Sequence, residues 1–94
     1  MHVKWLRKAL LNLDEEATYI ASDDPAAALA VVTRIFEAVS TLVEQPNLGR
    51  PGRVPGTREL VVPNTRYIVP YRVRRETVEL LRVFHTLRRP PKRW

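Results

Sequence analysis

The sequence predicts an α+β domain in which a helical hairpin packs on a small, mostly antiparallel sheet. Apolar residues recur every three or four positions between Leu6 and Val43, which is typical of amphipathic helices. After the segment 48–56 they alternate with a period of two, which is typical of strands. The 94 residues suffice for one hydrophobic core. The predicted order of elements is therefore β-α-α-β-β-β in a single domain.

The first half of the chain predicts a short strand and two helices. His2–Trp5 alternates in polarity, and the first helix should follow it directly. Asp24 before Pro25 indicates a second helix start, because the carboxylate can accept a hydrogen bond from a free backbone N–H and proline suits the first helical position. This helix should end before Pro46. The apolar stripes expected to face the core are Leu6, Ala9, Leu10, Leu13, Ala17, Ile20 and Ala21, and then Leu29, Val32, Ile35, Phe36, Val39, Leu42 and Val43.

The second half predicts a stiff loop and three strands. The segment 48–56 contains all three glycines of the chain and two of its prolines. Strands are expected at 59–62, 67–73 and 78–85. Pro70 lacks the N–H that a ladder needs, so an edge strand or a bulge is predicted there. The domain thus divides into a helical hairpin at about 6–45, a loop at 46–57, a sheet at 58–85 and a basic tail at 86–94.

The composition excludes several classes of protein. A hydrophobic content of 45% predicts a folded chain, and the lack of cysteine excludes disulfides and thiolate metal sites. We expect neither a metal nor another cofactor. The first residues have no long apolar stretch of the kind found in secretory signals, and no uninterrupted apolar run approaches the roughly 20 residues that span a bilayer. A cytoplasmic protein without membrane contact is expected.

The charge is distributed unevenly along the chain. The net charge is +6, yet residues 1–48 carry four Lys/Arg and seven Asp/Glu, whereas residues 49–94 carry twelve Lys/Arg and three Glu. Eleven of those twelve cations are arginine, whose planar fork suits carboxylates and phosphates. The second half therefore favours an acidic partner, either nucleic acid or an acidic protein segment. For any single arginine, a solvated basic surface is the alternative interpretation.

The stretch RVFHTLRRPPKRW, residues 82–94, contains one of the two histidines. His85 could act as a general acid or base near neutral pH, with Arg88 within reach of a phosphate. The alternative is a histidine at a strand end, half buried and hydrogen-bonded to backbone, and this is the commoner situation. Trp94 is expected to be exposed or to rest on the body of the domain, where it could anchor a partner.

The opening strand, the helical hairpin and the runs LGRPGRVPGTRELVV, YIVPYRV and ELLRVFHTLRRP together resemble the RelE/ParE superfamily, over residues from about 4 to 90. These are toxins of bacterial type II toxin–antitoxin modules. The resemblance implies one of two activities. RelE-type members are metal-free endoribonucleases that cut mRNA on the ribosome, whereas ParE-type members are protein inhibitors of DNA gyrase. In both branches an antitoxin neutralises the toxin by wrapping its C-terminal segment around it.

Comparison with the two branches favours the ParE type. Arg58 and Arg88 match basic positions of the RelE-type enzymes, but Leu60 and Ile68 stand where those enzymes place further cations. One oxyanion contact contributes about 3–4 kcal/mol to a transition state, so the loss of two should prevent RNA cleavage. We therefore expect a gyrase inhibitor rather than an enzyme. The weak catalytic candidates for the alternative, a ribosome-dependent endoribonuclease, are His85, Arg88 and Arg58.

The resemblance also implies a partner surface. We expect a ParD-like antitoxin, with an acidic or amphipathic C-terminal segment, to form a hetero-oligomer with this chain, and gyrase to be the target. A third interpretation is a degenerate toxin or a basic nucleic-acid-binding module. The residues expected to bind the antitoxin or the target are Arg50, Arg53, Arg58, Arg66, Arg72, Arg82, Arg88, Arg89 and Trp94.

Overall fold

The computed structural model describes residues 1–88 and 93–94, and it shows two helices packed on a six-stranded sheet. The predicted α+β class is confirmed. The helices are α1 (Arg7–Ala21) and α2 (Pro25–Ser40), the latter followed by a 3-10 turn at Thr41–Val43. The strands are β1 (His2–Trp5), β2 (Arg50–Pro51), β3 (Arg58–Val61), β4 (Tyr67–Arg74), β5 (Thr77–Leu80) and β6 (Phe84–His85).

The sheet has the order β1-β5-β4-β3-β2, and β6 pairs with the first half of β4. β1 runs parallel to β5, and the other pairs are antiparallel. Because β1 lies at one edge of the sheet and β2 at the other, the intervening helical hairpin crosses one face. The opposite side of the sheet, which carries Lys4, Arg72, Glu79 and Phe84, is called the open face below.

The last predicted strand, 78–85, is divided into β5 and β6 by a bulge. Tyr71 pairs with Leu80 and Ile68 pairs with Phe84, so two residues of β4 lie opposite three residues of the neighbouring segment. Pro70 is one of the two, and its carbonyl accepts a hydrogen bond from the Leu81 N–H at 2.8 Å. The proline therefore lies in a central strand, and the bulge lies in the neighbouring segment opposite it. Because of the extra residue in that segment, no ladder hydrogen bond requires the N–H that Pro70 lacks.

The core lies between the hairpin and the inner face of the sheet. Asp24 caps α2, because its Oδ1 accepts a hydrogen bond from the Ala27 N–H at 3.1 Å, as the sequence predicted. Alternate residues of the central strands point toward the helices and are buried with them. The central members of this core are Ala9, Leu13, Ile35, Val39, Leu42, Leu60, Val69, Tyr71, Val78 and Leu80.

The apolar stripe predicted for α2 is divided between the core and solvent. Ile35 and Val39 are buried, but Leu29 is 69% exposed and Phe36 46% exposed. Residues seven apart lie on the same side of a helix, and this second side lies at the margin of the core, where Phe36 contacts Trp5 of β1. The expectation that the predicted stripes face the core was therefore wrong for Leu29, Phe36 and Val43, and also for Leu10 of the first helix.

Within the described residues, the segment Pro25–Val43 is long and apolar enough, by length and composition, to cross a membrane. Arg34 and Glu37 interrupt the apolar residues of this segment, so it contains no uninterrupted apolar run of spanning length. Core helices of soluble proteins have the same composition, and the inner side of this helix packs on the sheet. One such segment is therefore a weak indication of a membrane span.

Candidate functional site

His85 lies in β6, paired with Tyr67 on the side of the sheet that faces the helices. Its Nδ1 accepts a hydrogen bond from the Leu87 N–H at 3.1 Å, and its ring meets the Tyr67 ring edge-on at 5.2 Å between centroids. The contact with Leu87 requires an Nδ1 without a proton. The half-buried imidazole thus serves as the acceptor of a turn, which is the arrangement that the non-catalytic interpretation describes.

Arg88 is engaged by a carboxylate of the first helix. Its guanidinium pairs with Oε2 of Glu16 and lies 5.1 Å from the centre of the Tyr19 ring. The other oxygen of Glu16 accepts a hydrogen bond from the Tyr67 hydroxyl at 2.8 Å. Burial, and then the hydrogen bond and charge of Glu16, raise the pKa of Tyr67 well above its usual range. Arg88 is therefore held on the helix side, away from the open face.

Arg58 stabilises the segment that leaves α2. Its Nη1 donates to the carbonyl of Gly49 at 2.8 Å. The Tyr71 hydroxyl donates to the Pro46 carbonyl at 2.7 Å and accepts the Gly49 N–H at 2.8 Å. A Cβ at position 49 would lie 2.6 Å from Cε1 of Tyr71, so only glycine allows this approach. Burial raises the pKa of Tyr71, which keeps the phenol protonated in this arrangement.

Of the three catalytic candidates, His85 and Arg88 lie near each other beside Tyr67, whereas Arg58 lies apart from them. Arg58 pairs with Tyr71 on one edge of β4, whereas His85 pairs with Tyr67 on the other edge. Four residues along a strand correspond to about 13 Å. Arg58 binds the Gly49 carbonyl and His85 accepts from the Leu87 N–H, so each side chain is engaged at its own end of β4.

The two apolar residues that replace RelE-type cations lie on opposite faces of the sheet. Leu60 is buried in the core opposite Val69, whereas Ile68 is paired with Val61 and points to the other side. Because side chains alternate along a strand, even cations at these two positions would not lie together.

The open face carries a row of charged side chains. Lys4, Glu79 and Arg72 lie side by side on three adjacent strands. Nε of Arg72 donates to Oε1 of Glu79 at 2.6 Å, and the Arg74 guanidinium approaches the same oxygen to 3.9 Å. The hydrogen bond from Arg72 is the main reason that the pKa of Glu79 lies below its usual range. With three cations around one carboxylate, this end of the face is positively charged.

A second group of arginines belongs to the arginine loop, residues 50–57. Glu59 is buried, with 5% of its surface exposed, and it lies beneath this loop. Its Oε1 accepts a hydrogen bond from the Arg50 Nη2 at 3.1 Å, and its Oε2 accepts the backbone N–H of Arg53 at 3.0 Å. The carboxylate thus fixes the loop by its backbone and leaves the Arg53 side chain exposed.

Trp94 rests on the body of the domain next to the arginine loop. Its indole N–H donates to Oγ1 of Thr57 at 3.1 Å, and its ring stacks on Phe84 at 5.7 Å. Nε of Arg82 donates to the Trp94 carbonyl at 3.3 Å. Of the remaining candidates, Arg66 is exposed, and Arg89 lies outside the described residues.

The hairpin carries an exposed apolar surface that was not predicted from the sequence. Leu29, Phe36 and Val43 recur at intervals of seven along one side of α2 and its 3-10 turn, and all three are exposed. Phe36 also contacts the half-buried Trp5, with ring centroids 5.2 Å apart. We call these four residues the hairpin surface. The buried residues Ala28, Ile35 and Leu42 recur at the same interval one position earlier, so the sequence shows two adjacent apolar rows but not which of them is exposed.

An apolar cavity of about 400 Å³ lies between the end of α2 and the outer edge of β3. Ala38, Leu48, Leu60, Val61 and Pro63 line it, and Arg50 and Glu59 stand at its rim. Because β2 covers only Arg58 and Glu59 of β3, the rest of that strand is left open to a partner. In the described part of the chain, no group of three or more His, Asp or Glu residues is placed to hold a metal ion.

The fold and sequence agree with those of known proteins. The profile of the family described as "ParE toxin of type II toxin-antitoxin system, parDE" matches residues 3–90. The chain is therefore a toxin of the type II toxin–antitoxin class. Within that class, it belongs to the ParE family.

Two similar proteins support this assignment. The Sinorhizobium fredii protein named "Putative toxin Y4kP" is 49% identical over 90 residues, which cover 96% of this chain and 93% of that protein. A chain of the solved structure described as "Chromosomal ParDE TA system from P. aeruginosa" superimposes with a TM-score of 0.79 at 35% identity. That match covers 90% of this chain and 95% of the other.

Proposed function

We propose that this toxin inhibits growth by binding DNA gyrase, and that it does so by contact rather than by cleaving RNA. The observation that carries this proposal is the separation of Arg58 from His85 on opposite edges of β4. Metal-free RNA cleavage needs a base, an acid and cations around one phosphate. Here Arg58 is bound to a loop carbonyl and Arg88 to Glu16, so both cations have structural roles.

The hairpin surface supports an antitoxin partner. Apolar side chains at intervals of seven on an exposed helix form a stripe that an amphipathic helix or extended segment can cover. The relative from P. aeruginosa is described as a ParDE toxin–antitoxin system. We propose that a ParD-like antitoxin neutralises this chain by burying the hairpin surface.

The arginines supply the charge complementarity of that complex. Arg66 is exposed and has no ion pair within residues 1–88 and 93–94, while Arg50 is 57% exposed although it contacts Glu59. An acidic antitoxin segment would gain charge-assisted hydrogen bonds from such side chains. Long-range attraction between the charges should also accelerate association at low ionic strength.

An activity assay tests the gyrase proposal. The toxin, separated from its antitoxin, is added to purified gyrase with relaxed plasmid, and in parallel to a cell-free translation reaction. We expect supercoiling to be inhibited while the mRNA stays intact. Arrested translation with cleaved mRNA, together with normal supercoiling, would instead support the RelE-type ribonuclease.

A matched pair of variants tests the antitoxin site. Phe36→Glu places a charge in the hairpin surface, whereas Leu87→Glu changes a residue that is 73% exposed elsewhere. We expect Phe36→Glu to weaken binding of the antitoxin encoded beside the toxin gene by at least about tenfold, because a charge would be buried. Leu87→Glu should change affinity less than about twofold. Equal effects of both variants would place the antitoxin elsewhere.

A further inference from the structure

Four side chains from two segments contact Trp94, three of them at its indole and one at its backbone. Thr57 accepts its N–H at 3.1 Å, and Phe84 stacks on its ring with an interplanar angle of 19°. The Arg53 guanidinium lies over the same ring, 5.6 Å from its centre. Arg82 binds the backbone carbonyl of the same residue at 3.3 Å. The arrangement satisfies the flat apolar ring, the N–H donor and the main chain of one tryptophan.

The hydroxyl of Thr57 is oriented to accept the indole N–H. Its own proton is donated to the Val54 carbonyl at 2.6 Å, so a lone pair is left for Trp94. The loop is closed tightly around this hydroxyl, because the Gly52 N–H donates to the Thr57 carbonyl at 2.8 Å. A Cβ at position 52 would lie 2.3 Å from the hydroxyl oxygen. The loop therefore holds the Thr57 hydroxyl oxygen in position, and rotation of this hydroxyl is restricted.

We propose that Arg53, Thr57, Arg82 and Phe84 form an indole-binding site on the open face, occupied within the same chain by Trp94. Occupation of this site fixes the arginine loop, because two of the four residues belong to that loop and the other two to the segment around β6. The ligand class is an indole side chain attached to a polypeptide backbone. Phenylalanine could stack on Phe84 but would leave the Thr57 lone pair without a donor.

The rate of proteolysis in the arginine loop reports whether the indole-binding site is occupied. Trypsin can cleave after Arg53, which is followed by Val54, whereas Arg50 is followed by Pro51 and resists cleavage. Cleavage requires the loop to open locally, so its rate reports the stability of the loop. Cleavage after Arg34, in the middle of α2, reports the opening of the hairpin and serves as the reference within the same molecule.

Three variants distinguish a specific site from general packing. Trp94→Ala should accelerate cleavage after Arg53 on the order of tenfold relative to cleavage after Arg34, since stacking, cation–π and hydrogen-bond contacts are lost together. Trp94→Phe should give an intermediate rate, and Tyr19→Phe, a control at an exposed aromatic residue outside the site, should give the wild-type ratio. An unchanged ratio in Trp94→Ala overturns the proposal, and so does an equal acceleration at both bonds.

Rescue by a small ligand tests the site itself. N-acetyl-tryptophanamide at millimolar concentration should slow cleavage after Arg53 in Trp94→Ala and shift the NMR signals of the Thr57 amide and the Phe84 ring. N-acetyl-phenylalaninamide should do so more weakly, and neither should affect the wild-type protein. If the tryptophan derivative neither slows cleavage nor shifts these signals, the residues form no indole site. These readouts involve neither gyrase nor antitoxin, so they are independent of the proposed function.

Discussion

The Tyr67 hydroxyl donates a hydrogen bond to Oε1 of Glu16, although 51 residues separate the two in the sequence. Because Glu16 also binds Arg88, this carboxylate joins the first helix, a central strand and the segment that follows the last strand. Only 14% of the Glu16 side chain is exposed. A carboxylate so shielded gains from having both of its oxygens hydrogen-bonded.

Removal of this hydroxyl should weaken the fold measurably. We expect Tyr67→Phe to lower the free energy of unfolding by about 1 kcal/mol, the usual net contribution of one hydrogen bond. Chemical denaturation at neutral pH measures it. Tyr19→Phe is the control, because the Tyr19 ring is 67% exposed and its contact with Arg88 is kept. Equal stability of the two variants would contradict a role for the hydroxyl.

The same tyrosine predicts a loss of stability at alkaline pH. Its pKa is raised in the folded protein, so above the ordinary value of about 10 the unfolded chain releases a proton that the folded one retains. The stabilisation is therefore present below about pH 10 and is lost as the pH rises above it. Between pH 8 and pH 11, the free energy of unfolding should fall by about 1 kcal/mol less in Tyr67→Phe than in the wild-type protein. Parallel curves for the two proteins would contradict this.

Two glycines are required for different reasons: Gly49 because a larger side chain would clash, and Gly56 because of its backbone conformation. Gly49→Ala should destabilise the protein by several kcal/mol, because its Cβ would lie 2.6 Å from the buried Tyr71 ring. Gly56→Ala meets no atom within 4 Å but must adopt a φ of +81°, which costs about 1 kcal/mol. Thermal unfolding should rank the variants in that order. The reverse order would mean that the Tyr71 ring can move aside.

The turn between β4 and β5 can be improved. Arg75 and Glu76 have φ values of 49° and 61°, a left-handed conformation that Asn-Gly adopts far more readily. The double substitution Arg75→Asn, Glu76→Gly should stabilise the fold by about 1–2 kcal/mol. The melting temperature measures the effect. Exchanging the two residues, Arg75→Glu with Glu76→Arg, keeps the strain and should leave stability unchanged.

Arg58 should contribute to the stability of the fold, whereas Arg66 should contribute to the rate of antitoxin association. Arg58→Ala removes the donor to the Gly49 carbonyl and should lower stability by about 1 kcal/mol. Arg66 is exposed, so Arg66→Ala should leave stability unchanged but slow antitoxin association at low salt. Denaturation and stopped-flow association, each at two ionic strengths, measure both quantities. An association rate indifferent to ionic strength would rule out electrostatic attraction by the arginines.

Local signals in the sequence were sufficient for the fold. The Asp24-Pro25 helix start and a bulge beside Pro70 follow from backbone chemistry that acts within a few residues, and both are present, the bulge in the segment that faces Pro70. The roles of Arg58, Arg88 and Glu59 were not predictable, because each depends on a partner brought close only by folding. Leu29 and Phe36 were assigned to the core since periodicity identifies an apolar side without showing which side meets the sheet.

The pairing of β1 with β5 has a consequence for the order of events during synthesis. His2 aligns with Thr77, so the first strand made has no partner in the sheet until almost the whole described chain exists. Contacts between such distant residues close a long loop and form late. Until then Trp5 and the hairpin have no finished sheet to pack on. The growing chain therefore cannot complete its sheet before β5 has been synthesised, and the edge of β5 stays open to other segments until β1 docks on it.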